Sequence, residues 1–280
     1  MPAIKTFLVA KDGIKLYTQS WNLLKPKAVI ALVHGFGEHI GRYEHVANFF
    51  NRNGYGVEGM DFRGFGQSEG KRGHTPSYNT FLDDLDIFIA DVKKNHSNLP
   101  VFLYGHSMGG AIVLSYEIER NSKLSGVIAS GPLIELAFKP NPVTLFAGKL
   151  FRKLAPTFTQ TGGVVPNLIS RDPEVVAKYI ADPLIHNKIT AEAGIGILER
   201  GAFLNNFSGK MPMTTLILHG TDDKLTSFPA SEAFAKRLTG DVTFKKFQGL
   251  YHEIHNEPEK QEVLSYILGW LDSKIQNPKL

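Results

Sequence analysis

The chain has 280 residues, 42% of them hydrophobic and 21% charged, with 27 glycines and 15 prolines; this balance fits one large globular domain or two small ones and excludes disorder, collagen and coiled coil. Cysteine is absent, which removes disulfides, a thiolate nucleophile, iron–sulfur clusters and every zinc site that needs sulfur. The 31 basic and 27 acidic residues leave a formal charge of +4 and are scattered rather than gathered into a stripe, so no nucleic-acid partner is expected.

In chain order, residues 1–13 contain one short apolar run, Phe7-Leu8-Val9-Ala10, between Lys5 and Lys11. No small-residue cleavage site follows it, so no signal peptide is read and a cytoplasmic location is expected, with contact at a membrane surface left open. Nowhere do about 18 apolar residues run together, which argues against a transmembrane helix. Strand-like runs at 14–21, 28–33 and 55–60, with a helical stretch from about Ile40, have the rhythm of an α/β sheet. Tyr78, Phe81, Leu82, Leu85, Phe88, Ile89 and Val92 recur at three- and four-residue spacing after Pro76 and Ser77, predicting an amphipathic helix against one face of that sheet. Residues 101–104 form a short apolar run into Gly105, and 111–118 read as a buried helix behind it. Further strands are read at 127–130 and 215–219, each ending in a glycine-bearing turn.

Between those two strands the rhythm stops. Residues 132–211 hold seven of the 15 prolines and no convincing strand, and are read as a helical cap inserted into a core of 1–131 and 212–280. In the cap, Asn141 and Pro142 predict a helix start. Val143, Phe146, Ala147, Leu150, Phe151 and Leu154 then share one apolar face, with Lys149, Arg152 and Lys153 away from it. A basic amphipathic helix of this kind either lies on a lipid surface or an apolar ligand, or packs on its own domain. Beyond Thr215 the alternation resumes, with a helix from about Ser227, a strand at 242–247 and a final helix from Asn256 and Pro258.

The chemistry is concentrated at strand ends. Gly105-His106-Ser107-Met108-Gly109 is a G-x-S-x-G sequence between a predicted strand and a predicted helix, the context of a serine raised on a strained turn. Glycines without Cβ let strand and helix approach while the hydroxyl stands clear. A serine hydroxyl needs a base and a carboxylate to orient that base, here expected in the order Ser, Asp, His. Asp222 and Asp223 follow the strand at 215–219, and His252 sits in a loop just before the last helix. Either aspartate fits by position alone. His45, His96 and His186 are read as solvated or structural. The glycines of His34-Gly35-Phe36-Gly37, after the strand at 28–33, allow the Phe36 N–H to face a pocket; with the Met108 N–H, beside the serine at the positive end of its helix, it would form an oxyanion hole.

Several longer runs resemble the monoacylglycerol lipase and lysophospholipase branch of the serine α/β-hydrolases. They are His34-Gly-Phe-Gly-Glu-His-Ile-Gly-Arg-Tyr43, Asp61-Phe-Arg-Gly-Phe-Gly-Gln-Ser-Glu-Gly70 with Arg72-Gly73-His74, Ser170-Arg-Asp-Pro-Glu174, Ala181-Asp-Pro-Leu184, Gly220-Thr-Asp-Asp223 and Tyr251-His-Glu-Ile-His255. The resemblance covers nearly the whole chain. It implies an α/β-hydrolase fold, a doubly wound, mostly parallel sheet of about eight strands with a cap over an acyl pocket. It also implies Ser107 as nucleophile, Asp223 rather than Asp222 as the orienting acid and His252 as base. Glu38, Arg42 and His255 fall where this family holds polar groups near the glycerol end, although Glu38 and Arg42 would equally make a surface ion pair.

Competing motifs fail on spacing. His252-Glu253-Ile254-His255 has Asn256 where a zinc helix needs its second histidine, Gly35-x-Gly37 and Gly64-x-Gly66 lack the third glycine of a dinucleotide fingerprint, and no Walker-type G-K-[ST] occurs. A hydrolase without metal or cofactor is therefore expected, acting on a small lipid ester, with monoacylglycerol the first substrate. The alternatives are a lysophospholipase, with Arg42 as a partner for the phosphate, a broad carboxylesterase, and a catalytically silent ligand-binding homologue.

Overall fold

The computed structural model describes residues 3–21, 23–120, 123–162 and 164–276. The chain opens with β1 (Ile4–Val9), β2 (Lys15–Trp21), β3 (Ala28–Val33), α1 (Glu44–Arg52), β4 (Tyr55–Met60), α2 (Tyr78–Asn95), β5 (Val101–His106), α3 (Met108–Glu119) and β6 (Gly126–Ser130). There follow α4 (Pro142–Leu154), β7 (Thr159–Thr161), α5 (Pro173–Ala181), β8 (Lys188–Thr190), α6 (Ala191–Asn206) and β9 (Gly209–Lys210). The last part holds β10 (Thr215–Gly220), α7 (Phe228–Arg237), β11 (Leu238–Thr239), β12 (Val242–Phe247) and α8 (Lys260–Gln276).

Eight strands form one sheet in the order β1-β2-β4-β3-β5-β6-β10-β12. Every pairing from β4 to β12 is parallel, and β1–β2 and β2–β4 are antiparallel. This is the doubly wound, mostly parallel sheet of the α/β-hydrolase fold. β3 shows how sequence becomes layers: Val29, Ala31 and Val33 pack into the core shared with α2, α3 and Phe234 of α7, whereas Ala28, Ile30 and Leu32 pack into the opposite core with α1 and α8. A strand covered on both faces has no polar side to display, which is why it reads as an unbroken apolar run.

Helix starts follow the side chains expected to cap them. Ser77 accepts a hydrogen bond from the Thr80 N–H, Asn141 from Val143 with Pro142 behind it, and Ser227 from Ala230. The last helix begins later than expected, at Lys260, with a 3-10 turn at Ile254–Asn256 before it. One expectation needs correction, and one strand has no counterpart in the sequence reading. Residues 4–9 form a strand, β1, at the exposed edge of the sheet, where Ile4 and Phe7 face solvent and apolar alternation has nothing to bury against. The stretch 132–211 is not free of strands: β7 and β8 pair antiparallel, and β9 pairs with β11. At two or three residues each, they are too short for any period to register.

Glu117 of α3 is a buried carboxyl in this core. It is 1% exposed and accepts hydrogen bonds from the Met213 N–H at 3.0 Å and the Thr215 hydroxyl at 2.8 Å. Burial, only partly offset by these donors, pushes its carboxyl up from 4.5 to about 8. The folded state thus keeps a proton that the unfolded chain releases, and stability falls as pH rises from about 4.5 through about 8. Glu117→Gln should match the wild type in Tm near pH 5 and exceed it by a few degrees near pH 8.5, a gain on the order of 2 kcal/mol, read by thermal melts across that range.

Candidate active site

The parallel strands deliver four loops to one end of the sheet: 34–38 after β3, Ser107 after β5, 221–227 after β10 and 248–256 after β12. Ser107 is one of four described residues other than glycine at positive φ, with φ 55° and ψ −116°. Such a backbone costs on the order of 1–3 kcal/mol and persists only where its surroundings impose it. Here its N–H is donated to the Ser130 carbonyl at 2.9 Å, and the two flanking glycines touch backbone. A Cβ on Gly105 would sit 2.3 Å from the Gly109 carbonyl oxygen, and one on Gly109 would sit 2.4 Å from that of His34. No side chain fits at either position.

Ser107 Oγ lies 2.9 Å from His252 Nε2, and His252 Nδ1 lies 2.7 Å from Asp223 Oδ2. Asp223 Oδ1 accepts the N–H groups of Leu225 and Thr226 at 2.8 and 3.0 Å, which fixes the carboxylate plane. Asp222 instead is exposed and accepts only from the neighbouring Thr221 hydroxyl. Burial works against charge on both partners, yet the attraction between them prevails: Asp223 is held well below the ordinary carboxylate range, and His252, with help from Glu253 and Glu38, is raised above the ordinary histidine value. The arrangement can therefore take a proton from Ser107 and hold the resulting imidazolium.

Phe36 and Ser107 share the wall of a cavity of about 240 Å³, and Met108 opens α3, so its N–H belongs to the helix-start donors that have no intrahelical acceptor. The loop carrying Phe36 is locked by His34. Its Nδ1 lies 2.6 Å from the Gly35 carbonyl oxygen, and its Nε2 accepts the Phe62 N–H at 2.9 Å, so the proton is on Nδ1. Burial lowers this ring to about 3, which keeps it neutral.

Glu38 and His255 are buried, and the Arg42 side chain is 10% exposed. None lines the cavity among the described residues. Glu38 is buried and accepts from the Gly35 N–H and the Tyr43 hydroxyl, both at 2.7 Å, while Arg42 bridges Glu38 to Glu253. This is an internal network, not a surface ion pair, and it leaves Arg42 no free face for a phosphate. His255 is wholly buried against the rings of Tyr43, His45 and His106. Glu38, His106 and Glu253 do place metal-ligating atoms within 4.8 Å of one another, but the Arg42 guanidinium already supplies the positive charge there. The histidines read as structural are hydrogen-bonded: His45 to the His255 carbonyl, His96 to Glu58 and His186 to the Gly64 carbonyl. Two members of the site escaped the reading of the sequence: Glu253, the second carboxylate on Arg42, and His219, the penultimate residue of an apolar strand, whose spacing gives no sign that it turns toward Asp223.

A serine, a histidine and an aspartate in one hydrogen-bonded row across the strand ends of this sheet make the molecule a serine ester hydrolase of the α/β-hydrolase fold. The chain belongs to the family described as serine aminopeptidase, S33, whose model matches residues 24–259. It is 35% identical to a monoacylglycerol lipase of Mycolicibacterium smegmatis, over 94% of this chain and 95% of that one. It is 38% identical to an uncharacterised abhydrolase domain-containing protein of Dictyostelium discoideum, over 97% of this chain, which spans only 29% of that protein's length. Among solved structures, the monoacylglycerol lipase of Paleococcus ferrophilus superposes with a TM-score of 0.83 at 31% identity, covering 98% of this chain and all of that one.

Gly109→Ala should lose about 1–3 kcal/mol to overpacking and most of its esterase activity. Gly269→Ala, at an exposed position of α8 where a Cβ meets nothing within 4 Å, should gain up to about 1 kcal/mol. Thermal melts of the two variants check both signs.

Proposed function

We propose that the protein hydrolyses monoacylglycerol to glycerol and a fatty acid through an acyl-enzyme on Ser107. The observation that carries this is an apolar cavity ending at Ser107 and His252, walled by Leu133, Leu136, Leu145, Ile195 and Leu198. Relatives named for monoacylglycerol support the headgroup. Ser107 attacks the ester carbonyl while His252 takes its proton, Asp223 holds the imidazolium, and the N–H groups of Phe36 and Met108 receive the oxyanion. His252 then protonates the departing glycerol, and water activated by the same ring releases the fatty acid. Each acyl CH₂ buried adds about 0.8 kcal/mol, so long chains should be preferred. With Arg42 held by two carboxylates, a lysophospholipid has no evident partner for its phosphate.

On this reading residues 132–211 are the cap, and 1–131 with 212–280 the core. Its support is that 132–211 gives no strand to the large sheet but much of the cavity wall. Helix α6 is the fixed base, packed on α2, α3 and α7, and α4 lies on α6 with Arg152 paired to Glu192 and Glu199. Arg152 is therefore a tether rather than part of a free basic face. Thr144, Leu145 and Gly148 of α4 line the cavity, whereas Val143, Phe146 and Leu154 are 75%, 72% and 75% exposed. That outer apolar face is taken as the side that meets a lipid surface. Among the described residues no helix is long and apolar enough to cross a membrane.

Fatty-acid release from monooleoylglycerol, lysophosphatidylcholine and trioleoylglycerol, assayed side by side, tests the substrate. Monooleoylglycerol should be fastest, with Ser107→Ala at least about a thousandfold slower; preference for lysophosphatidylcholine would shift the assignment to that lipid. Phe146→Ser with Leu154→Ser should slow hydrolysis of vesicle-borne monooleoylglycerol several-fold and leave a soluble nitrophenyl ester unaffected. Equal loss on both substrates would place the role of α4 in the cavity wall alone.

A further inference from the structure

Asp223 serves two histidines. His219, at the end of β10, places Nε2 3.0 Å from Asp223 Oδ2, the same oxygen that His252 Nδ1 reaches at 2.7 Å and the Thr226 hydroxyl at 2.8 Å. With the Leu225 and Thr226 N–H groups on Oδ1, four N–H donors and a hydroxyl that also lies 3.1 Å from the Gly131 carbonyl oxygen surround a carboxylate with about four lone-pair positions. They must share its charge. His219 is wholly buried, with the edge of Phe228 against its ring and Nδ1 without a hydrogen-bond partner. With the carboxylate at Nε2 and nothing at Nδ1, the hydrogen bonding of the ring calls for a proton on Nε2, which leaves only an empty acceptor at Nδ1.

We infer that His219 is a positioning residue that donates its Nε2–H to Asp223, pins the same carboxylate oxygen that holds His252, and weakens its hold on the His252 imidazolium. The inference rests on the assignment of Ser107, His252 and Asp223 above. It does not touch the choice of lipid, since His219 is absent from the cavity wall. Its consequence is a base that releases its proton more readily than an aspartate committed to one histidine would allow. The other ionisable groups facing His252 are Glu253 and Glu38, which favour its charged form. His106, lowered to about 3 by burial, and His255, also lowered, stay neutral beside it; Arg42 lies beyond them. None of these changes when His219 is replaced.

The test is the pH dependence of kcat/KM for a soluble nitrophenyl ester, together with fluorophosphonate labelling of Ser107 over the same pH range. His219→Phe keeps the ring volume and removes the donor; its acid limb should move upward by roughly half to one pH unit, with KM unchanged. His219→Gln, whose amide N–H reaches the position of Nε2, should restore the wild-type limb. A limb that coincides with the wild type while Tm falls would reduce His219 to packing and overturn the inference. Should His219→Phe fail to fold, His219→Leu removes the same donor with a smaller side chain and should shift the limb the same way; an unmoved limb there overturns it as well. In the unmodified protein, histidine ¹⁵N shifts should show His219 protonated on Nε2, and a proton on Nδ1 instead would also overturn it. Wild-type protein whose Ser107 takes no label at any pH brings down the assignment of the serine itself, a result distinct from a labelled wild type with an unmoved variant.

Discussion

Ser107 stands in the left-handed region because Gly105 and Gly109 let β5 and α3 close on backbone carbonyls at distances no side chain permits. The remainder of the site is arranged around that fixed point. The His34 carbonyl that excludes a Cβ from Gly109 begins the loop carrying Phe36, so the serine turn and that loop are in direct contact. The Ser130 carbonyl that accepts the Ser107 N–H ends β6, beside the strand that leads to Asp223. A small shift at the turn would therefore be felt by every group around the reacting oxygen.

The loops are also held from below. Arg42 reaches Glu38, which grips the Gly35 N–H, and Glu253, which adjoins His252; its guanidinium also covers the ring of Tyr179 in α5. One cation thus joins the loop after β3, the loop that carries His252 and helix α5. Removing either carboxylate would strand a buried charge, which is a larger penalty than the intact network's modest net contribution. A second tie, from His39 to Asp182, and a third, from the Glu253 N–H to the Ile169 carbonyl, fasten the residues on either side of α5 to the same loops.

β3, buried on both faces, was legible as an unbroken apolar run, and its range, like those of β4 and the edge strand β12, coincides with the one read from the sequence. Ser107 and His252 were legible by chemistry and order, and the choice of Asp223 over Asp222 needed the family motif. What could not be read was whatever depends on which way a loop folds back. Glu38 and Arg42 are four residues apart, a spacing shared by solvated helix pairs, and nothing local announces that Glu253 closes on them from more than two hundred residues away. β1 was missed because an edge strand buries little, and β7 and β8 because three residues carry no period.

The close approach of α4 to α6 places an unusual burden on one small residue. Gly148 faces the cavity, and a Cβ there would come 3.1 Å from Ile195 Cδ1, a contact that a flexible side-chain tip can absorb by shifting a few tenths of an ångström. A larger group would both narrow the cavity and lever α4 away from its base. The length of the cavity is therefore open to evolutionary change by a single substitution in α4, away from the strained turn, so the ligands it admits can drift among descendants of this chain while the groups around Ser107 stay fixed.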